Sequence, residues 1–189
     1  MRRFRFLSVF FAAVALFVCV SSCSKDEQRV IPEDEKLDAY YLRATVTVAT
    51  TEDLRKVTEL NVGLVDLLNN EVNMSREVAI SDYYQWSDKR RVRDLIFPID
   101  VEFALDYSLL EGIDENSTLN CMVDAELVLE FLDQKGNPIK VFNSNFERKW
   151  VPKLPVSENF EAAEWSCHFS VVQDAEGLLF AEEVVKPQL

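Results

Sequence analysis

The chain has 189 residues, with 33 acidic and 20 basic side chains, a formal charge of −13 and one histidine. So acidic a surface repels phosphate backbones and anionic lipid headgroups, which excludes nucleic-acid binding as its function. A zinc centre needs several His or Cys ligands, and one histidine with four cysteines offers few.

Three arginines in "MRRFR" precede the uncharged apolar run "FLSVFFAAVALFVCV", the layout of a secretory signal. The run is shorter than the roughly 20 residues a bilayer-spanning helix needs. It ends in "VSSC", which resembles the lipobox of bacterial lipoproteins. That resemblance implies that residues 1–22 are removed, that Cys23 becomes the first residue and carries the lipid, and that Cys19 is discarded. Several acyl chains anchor stably where one binds only marginally. Loss of Arg2, Arg3 and Arg5 takes the formal charge from −13 to −16. "SKDEQ" lacks an aspartate directly after the cysteine and resembles the acidic export tag of surface lipoproteins in the Bacteroidota. The implied location is the outer membrane, facing the cell exterior, with the periplasmic face as the alternative. Residues 23–38 then form a lipidated N-terminus and a polar, acidic stalk of about 20–23 Å as flexible coil.

Residues 39–189 are of ordinary length for one domain and alternate in polarity. Tyr40, Leu42, Ala44, Val46 and Val48 share one face of a first strand, with Tyr41, Arg43, Thr45 and Thr47 on the other. In "TTEDLRKVTELNVGLVDLLNN" we expect a short helix or loop at 52–58, then a strand, with Thr50 and Asp53 as a capping box. Asn69-Asn70 reads as a hairpin turn into a strand over 72–80. Residues 82–93 read as a loop, with a short strand over 92–97. The odd residues Ile99 to Leu109, the odd residues Leu119 to Phe131, and Trp165, Cys167, Phe169 and Val171 each line one face of a long strand. "DQKGNP" is a turn into a return strand over 139–146, and a last strand is expected at 178–185. The whole reads as all-β: an antiparallel two-sheet β-sandwich of about eight strands with at most one or two short helices. The opening strand, linker and paired strands resemble transthyretin-like modules.

Cys121 and Cys167 both take the apolar phase of their strands. In an oxidising envelope they either pair, closing a loop worth about 4 kcal/mol, or remain buried thiols in separate core layers. His168 lies on an outward phase and reads as solvated. Nothing in the chain has the pattern of a catalytic nucleophile, a metal site or a cofactor site, so no enzyme, metal or cofactor is expected.

"DYYQWSDKRRVR" breaks the acidic pattern. Tyr83, Tyr84 and Trp86 in a loop would offer rings to sugar faces, with Arg90 and Arg91 beside them for carboxylates or hydroxyls. The competing reading folds the rings over the core. "ERKWVPKLPV", with Trp150, is a second stretch of the same kind. The expected function is a lipid-anchored, non-enzymatic binding or adhesion module for a glycan or a surface protein. The alternative is a structural or accessory subunit of an envelope assembly.

Overall fold

The computed structural model describes residues 36–184 except Glu115 and Pro152, all within one unit, Glu33–Leu189. The leader and Cys23 lie outside the described residues. The fold is all-β, as the alternation predicts. β1 (Tyr41–Thr50), β4 (Tyr83–Arg91), β6 (Met122–Leu132) and β7 (Pro138–Lys149) form one antiparallel sheet in the order β4-β1-β6-β7. β2 (Thr58–Val65), β3 (Glu71–Asn73), β5 (Ile99–Leu109), β8 (Ala163–Gln173) and β9 (Leu179–Glu183) form the other, in the order β3-β2-β5-β8-β9. Three short helices, α1 (Glu52–Val57), α2 (Ser75–Ile80) and α3 (Val156–Asn159), exceed the one or two expected.

Each sheet buries its apolar phase against the other. Leu42, Ala44, Val46 and Val48 of β1 and Val123, Leu127, Leu129 and Phe131 of β6 are fully covered, as are Ile99, Val101 and Phe103 of β5. Aromatic side chains lock the sheets together. Phe146 stacks on Trp165 at 5.8 Å and Phe142 approaches Phe169 at 6.1 Å across the sheets, while Trp165 meets Phe103 of its own sheet edge-on at 5.5 Å. Such pairs add about 0.5–1.5 kcal/mol beyond the area they bury.

Several expectations need local correction. β3 is only three residues long, because Met74 N–H bonds the Val62 carbonyl at 2.8 Å and Val62 N–H bonds Ser75 Oγ at 2.9 Å. That tether turns the chain into α2, whose entry buries Met74 and Val78, four residues apart on one helical face. The strand expected over 72–80 is therefore mostly helix. The strand expected over 92–97 is a 3₁₀ turn, Val92–Asp94, that buries Val92 and Leu95. No capping box forms at α1: Thr51 is the N-cap, while Thr50 Oγ1 donates to the Ser81 carbonyl and Asp53 accepts from Asn120 N–H. The domain also starts earlier than residue 39. Leu37 exchanges both main-chain bonds with Leu179, and Lys36 pairs with Asp174 at 3.2 Å.

The turns follow the sequence closely. Asn69 takes φ 57° between β2 and β3, a left-handed conformation that asparagine tolerates. Gly136, at φ 88°, closes the β6–β7 hairpin, where a side chain would be strained.

Cys121 and Cys167 are both buried and both free. Cys121 sits opposite Trp150, whose N–H bonds its carbonyl at 3.1 Å, whereas the Cys167 thiol bonds Ser144. Ser144 and Trp150 stand six positions apart, in and just beyond β7, about 20 Å of extended chain. The disulfide therefore does not form, and the two thiols occupy different layers. Burial pushes Cys121 up to about 11 and Cys167 up to about 12.

Phe103 is wholly buried between the sheets, while Trp86 lies half-covered at an edge. Phe103→Ala is expected to cost about 3–5 kcal/mol, and Trp86→Ala about 1–2 kcal/mol for its smaller buried area. Urea midpoints of the two variants measure both.

Candidate functional site

The stretch that breaks the acidic pattern is a nine-residue edge strand, β4, where the sequence suggested a loop. β1 imposes this. It pairs with β4 along its whole length, from Tyr41 opposite Arg91 to Ala49 opposite Tyr83, and with β6 on its other side. Residues directly opposite in an antiparallel pair point to the same face. Arg90, Trp86 and Tyr84 thus follow Leu42, Val46 and Val48 toward the core side, while Arg91 and Tyr83 follow Tyr41 and Ala49 outward.

The five candidate residues are therefore split between two surfaces. Tyr84 and Trp86 are half-buried and packed against the core, and burial raises the Tyr84 phenol above its ordinary value. Arg90 Nε donates to Asp88 Oδ2 at 2.9 Å. Tyr83 is 58% exposed and Arg91 is exposed, at opposite ends of the strand. A single platform of three rings does not form. Trp150, the centre of the second stretch, is no surface ring either: it stacks on Phe160 at 5.4 Å and meets Tyr107 edge-on at 5.5 Å.

The outward phase of β4 and β1 instead builds a polar face. Across the four strands the rows run Lys89–Arg43–Glu130–Val141, Ser87–Thr45–Val128–Asn143 and Gln85–Thr47–Glu126–Asn145. Thr45 and Ser87 hydroxyls lie 3.0 Å apart. Arg43 grips Glu130 with two guanidinium nitrogens, one contact at 2.7 Å. Lys89 Nζ stands 4.2 Å above the Tyr41 ring, and Tyr40 meets Tyr41 edge-on at 4.7 Å. One end of the face is therefore basic and aromatic, through Arg91, Lys89, Arg43 and Tyr41, and the other carries Asp124 and Glu147. Hydroxyls, amides and guanidinium groups arranged this way can hydrogen-bond a ligand rich in hydroxyls or carboxylates. Tyr41, Arg43, Thr45 and Thr47 were visible in the sequence as the polar phase of β1. Their partners were not, since the alternation of β4 is hidden by its two adjacent tyrosines.

The β4 edge also carries main-chain groups that β1 does not use, of which the Tyr83 carbonyl accepts from Ser81 Oγ. Thr50 N–H bonds the Asp82 carbonyl at 2.9 Å and Val92 N–H bonds the Tyr40 carbonyl at 3.0 Å. These bonds put the even-numbered residues of β4 in the ladder with β1, so Tyr83, Gln85, Ser87, Lys89 and Arg91 turn their N–H and C=O groups outward.

The opposite sheet has an acidic outer surface. An open groove of about 570 Å³ runs over Gly63 and Ala104, bordered by Glu71, Glu102 and Asp106. Asn61 Nδ2 donates to Asp106 at 2.8 Å. On the same surface His168 Nε2 lies 2.9 Å from Asp100 Oδ1, so the expected solvated histidine is a half-buried one with an acidic partner. The hydrogen bond from His168 holds the Asp100 carboxyl below its ordinary value of 3.8. Among the described residues no group of three or more His, Cys, Asp or Glu side chains is placed to hold a metal ion. Comparison with known proteins returns no matching family model, no similar curated protein and no similar solved structure.

A depressed carboxylate stabilises the fold above its unfolded value and loses that contribution as pH falls through the folded one. Asp100→Asn is expected to cost under about 1 kcal/mol near neutrality, as exposed pairs do. The gap from wild type should close well below pH 3.8, which denaturant midpoints at the two pH values measure.

Proposed function

We propose that this chain is a membrane-anchored, non-enzymatic binding or adhesion module. In this reading a lipid on Cys23 holds it to the outer face of the outer membrane, and the outer face of the four-stranded sheet takes a glycan or protein ligand. The observation that carries the reading is the uncovered polar face of β4 and β1. Its basic end, at Arg91 and Lys89 beside the Arg43–Glu130 pair, stands out in a chain of net charge −13. Guanidinium and ammonium groups beside hydroxyl rows favour acidic sugars or acidic segments of a surface protein. The second reading, a structural or accessory subunit of an envelope assembly, is favoured by the open main-chain edge of β4.

The test is a glycan and surface-protein array probed with the full chain and with Lys89→Ala/Arg91→Glu. Retention of an acidic glycan or acidic protein, weakened tenfold or more in the variant, supports the reading. Equal retention of both proteins, or of neither, contradicts it. In cells fed a fatty-acid analogue, Cys23→Ser should lose the label and leave the outer-membrane fraction, while Cys19→Ser keeps both.

A further inference from the structure

We infer that β4 is a self-complementary edge through which two copies of the chain pair antiparallel, Ser87 opposite Ser87, joining their four-stranded sheets into one of eight strands. This does not rest on the ligand reading above, because the main-chain edge of β4 carries it, although Arg91 and Lys89 belong both to that edge and to the outer face.

Three observations converge on a second copy as the occupant. The first is register. Full overlap of Tyr83–Arg91 with its two-fold mate sets the outward-facing residues against one another: Tyr83 with Arg91, Gln85 with Lys89 and Ser87 with itself. These are the positions whose N–H and C=O groups β1 leaves unused; Ser81 Oγ already donates to the Tyr83 carbonyl, so about eight main-chain bonds can form without disturbing existing ones.

The second is side-chain complementarity. Charges on an edge strand normally prevent pairing, and β4 carries Lys89, Arg90 and Arg91. They are all in its second half, however, while the rings Tyr83 and Tyr84 are in its first. A two-fold arrangement therefore brings cations to rings. Arg91 faces Tyr83 on the outer side and Arg90 faces Tyr84 on the inner side, each twice, which are favourable cation–π geometries. Lys89 faces the Gln85 amide, and no two like charges stand directly opposite. A shift of two residues leaves part of each strand unpaired and, in one direction, sets Asp88 against Asp88.

The third is the nature of the contact. It is isologous: each residue and its partner exchange roles, so association closes at two copies and does not run on into a fibre. Asp88 already holds Arg90 at 2.9 Å, which fixes that guanidinium before pairing and reduces the order lost on association. The dimer would also double the polar face described above.

The test combines sedimentation velocity of the full chain in detergent with oxidative cross-linking. The wild type should sediment as a dimer that dissociates on dilution. Gln85→Pro deletes an outward N–H that β1 does not use, so it should melt like wild type yet remain monomeric. Ser87→Cys should give a disulfide-linked dimer above the wild-type background, since paired Cα atoms about 5.5 Å apart suit that bond. Gln85→Cys, four positions out of register with its own mate, should not. A wild type monomeric at every concentration, a dimer untouched by Gln85→Pro, or equal cross-linking of the Gln85→Cys and Ser87→Cys proteins would each overturn the inference.

Discussion

The arrangement of the four-stranded sheet depends on the hydrogen-bond ladder on either side of β1. That strand pairs with β4 through its even-numbered residues and with β6 through its odd ones, which Thr51 N–H continues by bonding the Met122 carbonyl at 3.1 Å. Because Leu42, Ala44, Val46 and Val48 must face the opposite sheet, every residue of β4 is assigned a side by its partner on β1. A one-residue slip would reverse all of them and expose the buried set. Neighbouring residues such as Tyr83 and Tyr84 thus end up on different surfaces, however similar they look in sequence.

Much of this was legible in the residues alone. Long strands with strict alternation, β1, β5, β6 and β8, were found with their inward faces because burial on one side writes a period of two into the sequence. The Asn69 and Gly136 turns were equally plain. Short elements were less so. Met74 and Val78 announce a helix only by a single four-residue spacing, and nothing local indicates that Val62 will tether the chain ahead of them. β4 was misread as a loop for a different reason. An edge strand with a half-buried inner side keeps charge on both phases, as Asp88 and Lys89 do, and so loses the pattern that marks a central strand. The separation of Cys121 from Cys167 also depends on where their partners, Trp150 and Ser144, fall in and just beyond β7, which no spacing in the sequence reports.

Charge is distributed as unevenly as structure. The outer surface of the five-stranded sheet gathers Glu71, Glu102 and Asp106 around a groove, while cations concentrate at one end of the other sheet beside Tyr41. The net acidity of the chain therefore describes only part of its surface. Under the proposed reading, a ligand with carboxylates would approach this basic end and not the acidic groove. Aromatic side chains divide their work along the same lines. Phe142, Phe146, Trp165 and Phe169 join the two sheets, Trp150 and Phe160 close one end over Tyr107, and Tyr41 and Tyr83 are left near the basic and acidic ends of the polar face.

The most direct measurement is native-state amide hydrogen exchange across residues 83–91 at high dilution. A strand held on one side only predicts alternation: slow exchange at Tyr84, Trp86, Asp88 and Arg90, whose N–H groups bond β1, and fast exchange at Gln85, Ser87, Lys89 and Arg91. Uniformly fast exchange over the whole stretch would mean a loop and would contradict the account of the site.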